Sequence, residues 1–331
     1  MWKTIVVLAL AACCCTGCGV SGVLGDTRDG LLITLDVLTP PRRRVDLEAR
    51  LRTGDLLRSS PGYVIVFRRA GQAPTFAQTD DQGAAKVAFT PPAEGDYQFT
   101  AAVSPVGLRA KPPHDQALTI YCRKSDCPIA VVDLDYTIVA GGFEQLLLNR
   151  PGETAPMAHS QEVLAQLAAS HTIVYLTHRP NYFTNTTRQW LRDHRFPRGP
   201  LLLAEWTSFL RGSSEYKAEA LTGLQKDFSR VELGIGNRIG DVQAYHDSGM
   251  KSFLIFEPPD APPPQLRELA GKIRRLPQDV QVVSSWRQIG LALNGRGTFP
   301  PSAMAQRLEE MARRKNPSAA PTSQGARRTL E

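Results

Sequence analysis

Beyond its first twenty residues the sequence lacks any apolar run that could cross a bilayer, since a spanning helix needs roughly 20 consecutive apolar residues. It also lacks zinc-finger spacing and an RNP-like aromatic motif, which argues against a nucleic-acid-binding protein. The net charge of +7 over 331 residues is modest, and its short basic runs at 42–44 and 313–315 fit either a solvated surface or attraction to anionic lipid or phosphorylated substrate. The length predicts two folded units plus tails.

Cysteine is scarce outside the N-terminus, because four of the six cysteines lie within residues 13–18. They follow Lys3 and a short apolar stretch at residues 4–12. A basic residue, a short apolar segment and small residues in that order are typical of a secretory signal peptide. The alternative is a cysteine-rich cytoplasmic start.

The cysteine cluster also predicts the type of signal. The string at residues 15–19, Cys-Thr-Gly-Cys-Gly, resembles the lipobox at which bacterial lipoproteins are cleaved and lipidated. We expect a signal peptide at 1–18 and a lipid anchor on Cys18, with Cys13 as the alternative site. Acyl chains there would hold the protein on a membrane of the bacterial cell envelope, facing the periplasm or exterior. Residues 19–29, rich in Gly, Ser and Asp, suit a flexible tether.

Two cysteines remain after the start, Cys122 and Cys127. Their Cys-x4-Cys spacing is not that of a metal knuckle, and no histidine accompanies it. In an exported protein the pair could close a small disulfide loop, and otherwise both are free thiols.

Residues 30–122 show short apolar stretches separated by turn residues, which predicts a β-sandwich. The turn-rich segments at 79–83 and 95–97 resemble those of bacterial immunoglobulin-like modules. No catalytic constellation is visible in this part of the chain. We therefore expect an immunoglobulin-like β-sandwich domain that acts as a spacer or binds a partner protein. Strands are predicted at 31–38, 45–51, 63–67, 84–89, 97–103 and 117–121.

From residue 128 to 294 predicted strands alternate with helix-length amphipathic segments, which predicts an α/β fold with a doubly wound parallel sheet. In such sheets ligands bind at the carboxyl ends of the strands. Ser160 and Ser214 are predicted helix N-caps. Residues 295–331 are expected to be a disordered tail with a possible short helix at 303–315. The strands are predicted at 129–132, 172–176, 201–203, 231–235 and 252–256, and the helices at 161–169, 182–194, 215–228 and 241–248.

The strongest chemical signal is a predicted strand that ends in Asp133 and Asp135, in the pattern Asp-x-Asp-x-Thr. Alone, this pattern also fits a turn after any strand. A carboxylate that attacks a phosphate is repelled unless a metal bridges the two groups and a cation balances the charge. Phosphate chemistry at this strand therefore requires cations and carboxylates further along the chain.

Such residues follow in order along the sequence. Thr177, His178 and Arg179 end the next strand, Lys217 lies near the start of a helix, and Asp241 follows a later strand. In isolation Thr177 fits a helix cap, and Lys217 fits a solvated surface. Together with the first motif they resemble the four motifs of the haloacid dehalogenase phosphatases.

The fourth motif narrows the resemblance. This motif resembles the one in lipin phosphatidate phosphatases and in the C-terminal domain of phosphatidylinositol transfer proteins. The residues that carry the resemblance are Gly236-Asn237-Arg238, Asp241-Val242 and Ala244-Tyr245. The segments at 188–191 and 199–203 are also similar to lipin. The resemblance covers residues 129 to about 260. Tyr136 stands where lipins have glycine, which puts lipid selectivity more in doubt than catalysis.

The resemblance implies roles for individual residues. It makes Asp133 the nucleophile and Asp135 the general acid and base. Mg2+ would be bound by Asp133, by Asp241 and by the backbone carbonyl of Asp135, with Asn237 positioning a metal-bound water. The phosphate would be bound by Thr177 and Lys217. His178 and Arg179 would either contact the phosphate or fix the loop by hydrogen bonds.

The short gaps between the motifs leave no room for a sizeable cap domain, which favours a substrate that is large or presented by a membrane. The sequence thus predicts an envelope phosphatase that acts on phosphatidate or another phosphomonoester. Two alternatives stay open: a non-catalytic module that binds phosphatidate, and a phosphatase for a soluble or protein phosphoester.

Overall fold

The computed structural model describes residues 30–54, 57–106, 112–142, 145 and 154–315. The predicted signal peptide, lipidation site and tether lie outside these residues. Within the described parts, no helix combines the length and the apolar character that a membrane span needs.

The N-terminal part consists of two sheets that share one hydrophobic cluster. In the first sheet β3 pairs antiparallel with β1, β4 and β7. The second sheet has the order β2-β9-β8-β5-β6, and all of its pairs are antiparallel except β2 with β9. The prediction of an all-β unit is confirmed, while an immunoglobulin-like topology stays a prediction. The strands are β1 (Leu31–Thr34), β2 (Val37–Thr39), β3 (Val45–Thr53), β4 (Arg58–Ser59), β5 (Val64–Arg68), β6 (Thr75–Gln78), β7 (Ala84–Phe89), β8 (Gly95–Val103) and β9 (Gln116–Cys122).

The C-terminal part is built on a six-stranded sheet in the order β12-β11-β10-β13-β14-β15, in which every pair is parallel. The predicted parallel sheet is confirmed, and the sixth strand is additional to the five expected. The chain order reverses between β10 and β13, where a doubly wound sheet opens its ligand site. The strands are β10 (Ile129–Val132), β11 (Thr172–Pro180), β12 (Leu201–Ala204), β13 (Val231–Gly236), β14 (Lys251–Ile255) and β15 (Gln281–Val283).

Helices cover both faces of this sheet, which explains why its central strand is apolar on both sides. Ala130 and Val132 of β10 pack in one cluster with helices α1, α2 and α7, whereas Ile129 and Val131 pack in the other with α4, α5, α6 and α8. The helices are α1 (Ser160–Ala168), α2 (Thr184–Asp193), α3 (Trp206–Arg211), α4 (Ser213–Asp227), α5 (Ile239–Asp247), α6 (Pro263–Arg274), α7 (Trp286–Leu293) and α8 (Pro301–Lys315), with a 3-10 turn at Asn181–Phe183.

Helix α8 is longer and better packed than the sequence analysis expected. Its apolar residues Met304, Ala305, Leu308 and Ala312 are buried in the same cluster as Leu266 of α6. The packed core therefore continues past residue 294, where the sequence analysis placed the start of a disordered tail.

Two predicted helix caps are wrong. Ser160 is the first residue of α1 and donates its hydroxyl to the carbonyl of Met157, while His159 occupies the cap position with a left-handed backbone. Gly212 occupies the cap position of α4, so Ser214 lies inside the helix. Of the two alternatives for Cys122 and Cys127, a disulfide loop or free thiols, the structure has free thiols.

The two parts of the chain meet around the buried carboxylate of Asp36, which follows β1. It accepts hydrogen bonds from the backbone N–H groups of Thr119 at 3.0 Å and Leu201 at 3.4 Å, and from Nη2 of Arg188 at 3.2 Å. Asn185 adds a hydrogen bond to the carbonyl of Leu32. Helix α2, which carries Asn185 and Arg188, is thus attached directly to the N-terminal sheets.

Candidate functional site

The predicted site residues lie at the carboxyl ends of three neighbouring strands. Asp133 follows the central strand β10, Thr177 lies near the end of β11, and Asp241 lies in the first turns of α5 after β13. Since parallel strands end at one edge of the sheet, residues far apart in sequence meet there.

Lys217 joins two of the carboxylates. Its Nζ lies 2.9 Å from Oδ2 of Asp133 and 2.6 Å from Oδ2 of Asp241, and the Lys217 and Asp241 side chains are only 1% exposed. Burial by itself would lower the pKa of Lys217, but the charges of Asp133 and Asp241 outweigh that effect and raise the pKa above its usual value. The ammonium group therefore stays charged between the two acids.

Asp135 faces a different partner. Its carboxylate accepts hydrogen bonds from Arg179, with Nη2 2.7 Å from Oδ1 and Nε 3.2 Å from both oxygens. Nη1 of the same guanidinium group donates to Oγ1 of Thr187 at 3.2 Å. From the sequence, Arg179 is expected either to contact phosphate or to fix the loop by hydrogen bonds. In the structure it is buried and binds Asp135 and Thr187.

The other two residues of the second motif, Thr177 and His178, make different contacts. Thr177 is fully buried, and its Oγ1 accepts a 3.4 Å hydrogen bond from the backbone N–H of Arg179. The ring of His178 stacks on Phe209 of α3 with centroids 5.0 Å apart. Its Nε2 lies 3.4 Å from the carbonyl oxygen of Ser208. His178 therefore attaches β11 to α3.

Oxygen ligands for Mg2+ are present, although not as three converging carboxylates. No group of three or more His, Cys, Asp or Glu side chains close enough to hold a metal occurs among the described residues. Asp133 and Asp241 both contact Nζ of Lys217, and the buried amide Oδ1 of Asn237 has no hydrogen-bond partner among the residues that the structure describes. Mg2+ prefers oxygen ligands and keeps several waters. Two carboxylates and an unsatisfied amide oxygen are ligands of the chemical type that Mg2+ prefers.

Tyr245 is a residue of this site to which the sequence analysis gave no role. Its ring is fully buried on α5, and its hydroxyl forms no hydrogen bond of ordinary geometry with another described residue. Burial raises the pKa of Tyr245, and the nearby charge of Lys217 opposes that rise. The signal in the sequence is Gly234 in β13, because a glycine within a strand often marks close approach of another group. A β-carbon at Gly234 would lie 2.3 Å from Cγ of Tyr245.

The chain is remotely similar to several solved structures. The chain is 19% identical to a chain of the Pnkp1/Rnl/Hen1 RNA repair complex, with a TM-score of 0.30, and the match covers 36% of this chain and 39% of that one. It is 11% identical to the β-glucuronidase of Bifidobacterium dentium, with a TM-score of 0.30, over 77% of this chain and 44% of that one. Similarity at this level supports no inference on function.

A comparison with curated proteins gives no match. Residues 131–257 match the family model described as PITM 1-3, LNS2 domain, which is less than half of the chain. The matched segment runs from β10 to the residues just after β14 and includes every site residue described above. The match makes this segment similar to lipin-like domains of the phosphatase type.

Proposed function

We propose that the protein is a Mg2+-dependent phosphomonoester hydrolase that forms an aspartyl-phosphate on Asp133 and acts on phosphatidate or another lipid phosphate. The observation that carries the proposal is the contact of Lys217 with both Asp133 and Asp241 at the carboxyl edge of a parallel sheet. The segment matches a phosphatase-type family. A buried lysine between two acids can there balance the negative charge of the nucleophile and of the phosphate.

Asp133 is the nucleophile. Its carboxylate lies at the end of the central strand and is 7% exposed, so little water competes with a phosphate for it. Lys217 supplies a positive charge 2.9 Å from Oδ2, which reduces the repulsion between that carboxylate and an incoming phosphate. Mg2+, held by Asp133, Asp241 and Asn237, would neutralise the remaining charge on the phosphoryl group.

The reaction has two steps. In the first, an oxygen of Asp133 forms a bond to phosphorus, the bond to the leaving alcohol breaks, and the carboxyl group of Asp135 donates its proton to that alcohol oxygen. In the second, Asp135 takes a proton from water as the water attacks phosphorus, and the bond between phosphorus and the oxygen of Asp133 breaks. Inorganic phosphate leaves, and Asp133 and Asp135 return to their starting states.

The lipid substrate is supported by the family match and by the predicted membrane anchor. The match is to a lipin-like domain, and the anchor would keep the site close to a bilayer. The described residues between Lys217 and Asp241 form the rest of α4 and strand β13, so a cap inserted at this point is not part of the fold.

Phosphate release from phosphatidate vesicles in the presence of Mg2+ tests the proposal. We expect release by the wild type, loss of roughly three orders of magnitude or more in Asp133→Asn since the nucleophile is gone, and no change in Asp81→Asn, which alters an exposed acid in the N-terminal sheets. Equal release by wild type and Asp133→Asn would overturn the enzyme and favour a non-catalytic phosphatidate-binding module.

A panel of soluble sugar and protein phosphoesters, assayed with and without vesicles, tests the substrate class separately. Preference for lipid phosphates in kcat/KM supports the proposal. Preference for a soluble phosphoester by orders of magnitude would overturn the lipid substrate while keeping the hydrolase.

A further inference from the structure

Arg179 is one of the largest fully buried side chains of the described chain. Its side chain is 1% exposed, whereas that of Asp135, to which it binds, is 21% exposed. Asp135 is thus the more accessible partner of the pair. A phosphate that approaches from solvent would contact Asp135 more readily than the buried Arg179.

The guanidinium group is fixed from two sides. Nε and Nη2 bind Asp135, and Nη1 binds Oγ1 of Thr187 on α2, which is itself fully buried. The pairing of β11 with β12 shifts register between Thr177 and Pro180, and Arg179 lies within that irregular segment. A planar guanidinium held at both ends allows its carboxylate partner little rotation.

The two oxygens of Asp135 are held unequally. Oδ1 accepts from Nη2 at 2.7 Å and from Nε at 3.2 Å, whereas Oδ2 accepts only the 3.2 Å contact from Nε among the hydrogen bonds of the described residues. The geometry points to different roles for the two oxygens: Oδ1 is bound by Arg179, and Oδ2 acts on the substrate.

We propose that Arg179 is a positioning residue that orients Asp135 for proton transfer to the leaving alcohol, and that it does not bind the phosphate. The inference rests on the proposed function, because it assigns a use to the acid of that reaction. Arg179 forms no bond to substrate in this scheme. It acts by holding Oδ1, so that Oδ2 carries the proton to the alcohol oxygen as the bond to phosphorus breaks.

The role predicts a dependence on the leaving group. An alkyl alcohol, such as the diacylglycerol of phosphatidate, leaves as a strongly basic alkoxide unless it is protonated. The phenol of p-nitrophenyl phosphate is acidic enough to leave as an anion. General acid catalysis contributes about 10²- to 10⁴-fold where a proton is needed. Misplacing Asp135 should therefore slow alkyl substrates much more than aryl substrates.

The experiment compares kcat/KM for short-chain phosphatidate and for p-nitrophenyl phosphate in wild type, Arg179→Lys and Thr187→Val. Lysine keeps the charge but loses the two-point contact. Valine keeps the shape of Thr187 but removes the anchor of Nη1. We expect kcat/KM on phosphatidate to fall by about 10- to 100-fold in Arg179→Lys and by less in Thr187→Val, with kcat/KM on p-nitrophenyl phosphate within about threefold. The comparison uses kcat/KM because this constant covers the steps up to the aspartyl-phosphate and excludes the water attack that both substrates share.

An equal fall on both substrates, or a rise in KM for both without a change in kcat, would overturn the inference, since the second pattern is that of a phosphate-binding residue. If Arg179→Lys does not fold, Thr187→Val alone tests the inference, through the ratio of its kcat/KM on phosphatidate to its kcat/KM on p-nitrophenyl phosphate. Asp133→Asn separates this inference from the proposed function: it should abolish both activities, and if it does not, the proposed function fails whatever the leaving-group ratio is.

Discussion

The ring of Tyr245 lies so close to the backbone of Gly234 that a β-carbon at Gly234 would come within 2.3 Å of Cγ of the ring. No tyrosine rotation in a packed core accommodates such a contact without moving α5 away from β13. We expect Gly234→Ala to lower the free energy of unfolding by about 1–3 kcal/mol or more. Gly223→Ala in α4 is the matched control, because a β-carbon there meets nothing within 4 Å.

Alanine at this helical and exposed position should raise stability by about 0.5–1 kcal/mol. Urea denaturation of both variants measures the two effects. A stable Gly234→Ala protein would show that the ring and strand are less tightly packed than the structure indicates.

The contacts of Lys217 with Asp133 and Asp241 allow a prediction of how Lys217 affects metal binding. Lys217 balances two buried carboxylates, so Lys217→Met should destabilise the metal-free protein by about 3–5 kcal/mol. It also removes a positive charge that competes with a divalent cation for Asp133 and Asp241. We expect Mg2+ to raise the melting temperature of Lys217→Met more than that of the wild type.

Thermal unfolding in EDTA measures the stability of the metal-free protein, and the same experiment in millimolar Mg2+ measures the rise in melting temperature. Lys226→Met, an exposed lysine of the same helix, serves as the control and should show no added Mg2+ effect. Equal Mg2+ shifts in Lys217→Met and wild type would contradict a metal site at these carboxylates.

Asp36 predicts a pH dependence of stability. Burial raises its pKa above the usual aspartate value, although Arg188 and the backbone N–H groups of Thr119 and Leu201 act in the opposite direction. The folded protein then binds the Asp36 proton more tightly than the unfolded chain does. Stability from this group is fully present below the unfolded pKa and is lost as pH rises through the folded pKa.

The difference in unfolding free energy between wild type and Asp36→Asn isolates this effect. We expect the wild type to lose stability relative to Asp36→Asn as pH rises above about 4, where an unfolded aspartate ionises. A difference that is constant from pH 4 to pH 8 would show that Asp36 does not titrate in that range.

Helix α8 predicts that the end of the described chain is part of the core. Leu308 is fully buried against the α6 side of the sheet, so Leu308→Ala should lower the free energy of unfolding by about 2–5 kcal/mol. Arg307→Ala, at an exposed position of the same helix, should change it by less than about 0.5 kcal/mol. Similar small effects of the two substitutions would mean that α8 detaches without affecting the rest of the fold.

Much of the C-terminal architecture can be predicted from sequence because its strands are continuous apolar runs. β10 has the predicted bounds, and the other four predicted strands are found within a few residues. β15 and the helices α3, α6 and α7 were not predicted. The three residues of β15 carry too short an apolar signal, and strands of that length depend on their neighbours for pairing.

The cap predictions failed for a related reason. Serine was chosen at Ser160 and Ser214 because it can cap a helix by itself. In the fold, a left-handed residue at His159 and a glycine at Gly212 begin these helices. The backbone conformation required by the preceding loops decided the start of each helix.

The sequence predicts that carboxylates and a lysine gather at the end of a parallel sheet, because strand pattern and residue order are contained in short contiguous segments. The tertiary structure alone decided the partners of each charge: Arg179 is directed to Asp135, and Lys217 lies between Asp133 and Asp241. Those pairings depend on distances between elements that are far apart in the chain. Such distances are set by how the helices and strands pack, which no local pattern records.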